Sequence, residues 1–241
     1  MKYFACSDVH SAYTPWIEAL SESGFDKTNH DHKIIICGDA FDRMDESQKV
    51  YDFIMDMIKK DKLIYVKGNH EDLLMECVER KFPYYNDYHN GTIKTIYELT
   101  SDIDDDFKLK CSKVQEKMEP LLNAMVDYYE TEKYVFVHSC LPVRKNGSFD
   151  PNWRKASTER WSESRWGNPF TSARRGILPK NKTLVFGHWH TSYEWAKKEG
   201  LPETGEEAKY DTYFGEGYIG LDACTVLSHK VNIVVLEDNP L

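Results

Sequence analysis

Five short apolar runs recur along the chain, and each stops at residues that can bind a metal or move a proton: KYFACSD, KIIICGD, LIYVKGN, KYVFVHS and TLVFGHW. Brief runs rich in Ile, Val, Phe and Tyr, closed by Gly, Ser or an acid, read as strands. Helical patterns separate the first three, at 15–23 and 47–60, and in the second Val50, Phe53, Ile54, Met57 and Ile58 fall on one face. Strands alternating with helices predict an α/β fold, whose ligands collect outside the carboxyl ends of the strands. The reactive side chains sit where such a fold gathers them.

Those side chains are Asp8 and His10; Asp39, Asp42 and Arg43; Asn69, His70 and Glu71; His138; then His188 and His190. Carboxylate and amide oxygens mixed with imidazole nitrogen suit Mn2+, Fe2+ or Zn2+ rather than Mg2+ or Ca2+ alone. A structural zinc site would close with four ligands and lean on cysteine. Here the cysteines, at 6, 37, 77, 111, 140 and 224, are scattered and form no CxxC pair. Taken singly, each candidate has an ordinary structural role: a turn cap for His10, an N-cap for Asp39, a satisfied core histidine for His138. Their concurrence at five strand ends points to a metal centre.

From Glu71 to about Glu132 the pattern changes to long polar helices with no strand signal, which predicts a helical insertion in a single domain spanning 1–241. The acidic run SDIDDDF within it reads as a solvated face. Beyond Gly215, GYIGLDACTVLSHKVNIVVLED predicts two or three antiparallel strands closing a sheet, and KKEGLPETGEEAK (197–209) a charged, mobile loop. The net charge of −9, with no basic concentration, argues against a stable nucleic-acid complex. No apolar run is long enough to cross a bilayer, and the opening MKYFACSDVH is too polar for a signal peptide. Together with thiols read as reduced, this predicts a cytoplasmic protein with no membrane partner.

The ordered motifs DVH, GDAFDR, GNHE, a single His and GHWH resemble the calcineurin-like metallophosphoesterases, in particular their phosphoprotein phosphatase branch. That branch includes bacterial and phage serine/threonine phosphatases and symmetrical diadenosine tetraphosphatases, and the resemblance runs over nearly the whole chain. It implies a sandwich of two mixed sheets flanked by helices. It also implies two divalent ions, Mn2+ first, with Fe, Zn, Ni or Co as alternatives. Asp8 and His10 would hold the first ion, Asp39 would bridge, and Asn69, His138 and His188 would complete the second. His190 would return to the first ion, as in the wider superfamily. His70 would be the general acid, oriented by Asp42, with Arg43 and Asn69 on the phosphate oxygens. A second phosphate-binding arginine is expected in ERWSESRWGNPF, Arg165 in preference to Arg160.

Departures from the family pattern are Ser7 and Ser11 at two glycine positions, Met44 at a third, and SCLP after His138. The implied reaction is hydrolysis of a phosphate monoester by a hydroxide activated between the ions, with phosphoserine or phosphothreonine in a protein as the substrate. The alternative is symmetrical cleavage of a dinucleoside polyphosphate, diadenosine tetraphosphate. In that case Trp153, Trp161, Trp166 and Phe170 would form an aromatic wall for adenine, although packing between insertion and sheet is the favoured reading. A metal-free scaffold on the same fold is the rival from another class.

Overall fold

In the computed structural model, which describes residues 1–241, the first strand is buried on both faces. Tyr3 and Ala5 of β1 (Lys2–Cys6) enter one apolar cluster, Phe4 and Cys6 another. β2 (His32–Cys37) repeats the division, with Ile35 and Cys37 on one side and Ile34 and Ile36 on the other. Alternating side chains that are apolar on both faces require a layer above and a layer below.

β3 (Leu63–Val66) and the two-residue β4 (Met125–Val126) extend β1 and β2 into a parallel set. A second sheet contains β5 (Tyr129–Glu130), β6 (Tyr134–Phe136), β7 (Thr183–Phe186), β8 (Tyr213–Gly215) and β9 (Tyr218–Gly220) in the order β5-β6-β7-β9-β8. Its three central strands are parallel and both edges antiparallel. β10 (Val234–Glu237) returns to the first sheet, antiparallel to β1 with Glu237 opposite Lys2. Phe136, Val185, Ile219 and Leu221 from the second sheet meet Tyr3, Ala5 and Ile35 from the first in the central core. Each such Ile, Val or Phe contributes about 1.5–3 kcal/mol by leaving water.

Helices α1 (Tyr13–Glu22), α2 (Ser47–Lys59), α3 (Asn69–Arg80), α4 (Tyr85–Asn90), α5 (Thr92–Leu99) and α6 (Phe107–Ala124) follow the first-sheet strands. Trp16, Val50, Ile54, Leu74, Ile96 and Val114 pack from five of them onto Phe4, Ile34 and Ile36. α7 (Thr158–Ser164), α8 (Pro169–Arg174) and α9 (Ser192–Glu199) cover the second sheet, and α10 (Thr225–Ser228) is a single turn. The architecture is therefore the expected two mixed sheets flanked by helices.

All five strands read from the sequence are present, as β1, β2, β3, β6 and β7. The helices of 71–132 share one core with the first sheet, and the acidic run within them is exposed, Asp106 capping α6 by accepting from Leu109 N–H at 3.1 Å. β4 and β5, absent from the sequence reading, are two residues each, too short for alternation to register. The C-terminal reading needs correction. β8 and β9 form a hairpin in one sheet, β10 joins the other, and α10 intervenes, because Leu236 and Ile219 approach the same central core from opposite sheets. Residues 197–199 of the expected loop belong to α9. No helix is long and apolar enough to cross a membrane, and all six cysteines are free.

Candidate functional site

Non-glycine residues with left-handed backbone crowd the strand ends. Asp8 (φ 51°), His10 (48°), Ser11 (59°), Asp39 (56°), Asp42 (72°), Arg43 (67°) and His188 (66°) all adopt it. Each costs about 1–2 kcal/mol, so the surrounding contacts must impose it. Ser11 bonds Ser47 Oγ at 2.9 Å. Gly187 supplies one such contact: a Cβ there would lie 2.1 Å from Asp8 Oδ2 and 2.3 Å from Ser7 Oγ. That approach lets His188 N–H donate to Asp8 Oδ2 at 2.9 Å, joining the loops of the two sheets.

The strand-end side chains meet in a cavity of about 380 Å3, lined by Asp8, His10, Asp39, Arg43, Asn69, His70, His188 and His190 among others. His138 lies beneath, 1% exposed. Its Nδ1 faces Cys37 O at 2.8 Å, so that nitrogen carries the proton and Nε2 offers a lone pair. Around Nε2 stand Asn69 Oδ1 at 2.8 Å, His188 Nδ1 at 3.1 Å and Asp39 Oδ2 at 3.5 Å. On the other side His10 directs Nδ1 to Phe41 O at 3.0 Å, leaving Nε2 4.0 Å from Asp8 Oδ1. His10, Asp39 and His70 each bring one ligand atom within 4.8 Å of the others, as do Asp39, His138 and His188. Asp39 belongs to both groups.

This donor set fits divalent cations. Several acceptors face one another around His138 Nε2 with no hydrogen between all of them, an arrangement that repels unless a cation lies among them. Burial, followed by neighbouring carboxylates, pushes the Asp8 and Asp39 carboxyls well above their usual range. Burial likewise drives the His10 and His138 imidazoles well below theirs, and His188 to about 4, so the nitrogens stand neutral as ligands do.

Beside the two groups, His70 Nδ1 donates to Asp42 Oδ2 at 2.8 Å, and Arg43 Nη2 lies 3.5 Å from His70 Nε2. His190 lines the cavity but joins neither group, its Nδ1 being 3.2 Å from Ser192 Oγ. Arg165 does not line the cavity. Its buried guanidinium donates to Asp72 at 2.7 Å and to Asp127. Arg160 is paired with Asp150 at 2.7 Å. Trp153 and Trp161 pack between Tyr128 of the 71–132 segment and the second sheet, as expected, and Phe170 packs on the second sheet, whereas Trp166 is 53% exposed and lines the cavity.

Two residues acquire a place that sequence reasoning did not assign. Asp222, buried after β9 with Oδ1 accepting from Cys224 N–H at 2.7 Å, also lines the cavity. Its signal, an apolar run ending in an acid, is the same one that marked the other strands. Glu71 is fully buried and accepts from Gly68 N–H and Tyr65 O–H at 2.8 Å and from Asp39 and Ala40 N–H at 3.1 Å. It thereby ties the turn after β2 to the start of α3. Glu71→Gln puts an amide donor against some of these donors, and should cost about 2–4 kcal/mol, read as a lower urea midpoint with an unchanged slope. A variant as stable as the parent would remove this role.

A family model described as calcineurin-like phosphoesterase matches residues 1–209. No curated protein matches the sequence. Among solved structures, one described as "a putative diadenosine tetraphosphatase" is 16% identical with a TM-score of 0.53, covering 98% of this chain and 89% of that one. The cold-active protein-tyrosine phosphatase of a psychrophilic Shewanella species is 14% identical with a TM-score of 0.54, covering 99% and 76%. At these identities the likeness is one of fold.

Proposed function

The chain belongs to the calcineurin-like phosphoesterases, and from that premise we propose that its cavity hydrolyses phosphate monoesters, with phosphoserine and phosphothreonine in proteins as the substrate class. The observation that carries this reading is the sharing of Asp39 between two ligand groups in the same cavity as the His70–Asp42 pair and Arg43. In the proposal Asp8, His10 and Asp39 hold one divalent ion and Asp39, Asn69, His138 and His188 the other, with His190 facing the first. When bound, two such ions acidify the attacking water and neutralise charge on the phosphoryl group. Mn2+ is the proposed occupant.

The chain's own groups do the rest. Arg43 presents a planar fork of donors that matches two phosphate oxygens. An alkoxide leaves poorly without a proton. His70 carrying a proton on each ring nitrogen supplies the one on Nε2 and is left as the neutral imidazole whose Nδ1–H stays on Asp42. With Nδ1 engaged, Nε2 is the only ring nitrogen that faces substrate. Attack by water opposite the leaving oxygen needs no phosphoenzyme.

A second reading, symmetrical hydrolysis of diadenosine tetraphosphate, is supported by Trp166, whose exposed face at the cavity could stack on adenine. Product analysis separates the two. Purified protein with Mn2+ is given a phosphothreonine peptide and the dinucleotide in parallel. Phosphate from the peptide as the faster reaction supports the first reading; ADP as the dominant product replaces it with the second. Release of neither would return the metal-free scaffold.

A further inference from the structure

We propose that Thr92 and Thr95 of α5 are positioning residues for proton transfer, holding the Asp42 carboxylate so that it fixes His70 with its proton on Nδ1. The inference rests on the general-acid reading of His70 above. Asp42 is fully buried. Its Oδ2 accepts from His70 Nδ1 at 2.8 Å and from Thr92 Oγ1 at 2.9 Å, and its Oδ1 accepts from Thr95 Oγ1 at 2.8 Å. Thr95 Oγ1 also accepts the Asp42 backbone N–H at 3.0 Å, holding a residue whose φ is 72°. Carboxylate rotation is otherwise soft, since terminal sp3–sp2 torsions have broad minima. One hydroxyl on each oxygen removes that freedom.

Both threonines are fully buried and three residues apart, so they share one face of the helix. A threonine within a helix can turn its hydroxyl to a carbonyl of the preceding turn. Thr100 at the end of α5 does so, bonding Ile96 O at 2.6 Å, whereas Thr92 and Thr95 direct theirs to Asp42. Gly91 permits the approach. A Cβ there would lie 2.3 Å from Arg43 N, so only glycine lets the first turn of α5 press against the Asp42–Arg43 turn. Packing alone would be met by valine, which has the same shape and no hydroxyl.

The test uses Thr92→Val, because Thr92 shares an oxygen with His70 and bonds no backbone group, with Thr92→Ser as the variant that restores the hydroxyl. Histidine-15N NMR of the metal-free protein reports the His70 tautomer, the resonance being assigned by its loss in His70→Asn. The parent should show one Nδ1–H form, Thr92→Val a mixture or the other tautomer, and Thr92→Ser the parent form. Turnover of alkyl phosphates should fall about tenfold in Thr92→Val, part of the 10^2–10^4-fold that a general acid supplies, and that of nitrophenyl phosphate less than about twofold. A folded Thr92→Val with the parent tautomer and the parent ratio of the two rates would overturn the proposal. Failure of the general-acid reading shows differently: His70→Asn itself would leave the ratio of rates unchanged, while the NMR spectra still decide whether Thr92 sets the tautomer.

Discussion

Asp39→Asn should lower phosphate release by on the order of 10^3-fold or more, because a carboxylate shared by two ligand groups is replaced by a side chain with one oxygen and no charge. The same oxygens do structural work: Oδ1 accepts from His70 N–H at 2.9 Å and Oδ2 lies 3.5 Å from His138 Nε2. Asparagine can keep the first contact, so the fold should survive while affinity for the ions falls. Thermal unfolding distinguishes these effects. Mn2+ should raise the melting temperature of the parent, since it binds the folded state selectively, and should raise that of Asp39→Asn much less. Equal activity in the two proteins would remove Asp39 from the centre.

His70→Asn is the second large effect, and its signature is selectivity. Loss of the proton donor should reduce turnover of a phosphothreonine peptide by about 10^2–10^4-fold. Nitrophenyl phosphate, whose leaving group scarcely needs a proton, should lose less than about tenfold. Metal content should hold if the ring only donates a proton. His70 also falls within one of the two ligand groups, so a variant that binds one ion fewer would make it a ligand. Equal losses on both substrates would likewise contradict the acid role.

What the sequence disclosed follows from chemistry that is local in the chain. A strand ending in Asp, Asn or His is visible as an apolar run followed by a polar donor, and five such ends converge here because the parallel strands of two packed sheets end on the same side. What it concealed is determined by partners remote in sequence. Nothing local to ERWSESRWGNPF marks the partners of Arg165, whose guanidinium donates to Asp72 and Asp127, 93 and 38 residues away. Thr92 and Thr95 sit in an unremarkable helix, and only the return of α5 against the Asp42 turn gives them a role. Asp222 carried the right local signal but lay in a stretch whose alternation suggested an antiparallel meander. In fact β9 runs parallel to β7, which brings Asp222 to the same end of the sheet as His188.

The ions themselves are the most direct point of test. Protein purified without chelator, loaded with Mn2+ and freed of excess, is assayed for metal by mass spectrometry alongside Asp39→Asn. A dinuclear centre predicts two ions per parent chain and at most one tightly held ion in the variant. A parent chain that retains a single ion, or none, or an Asp39→Asn protein that retains two, would contradict the shared-carboxylate centre on which the proposed hydrolysis depends.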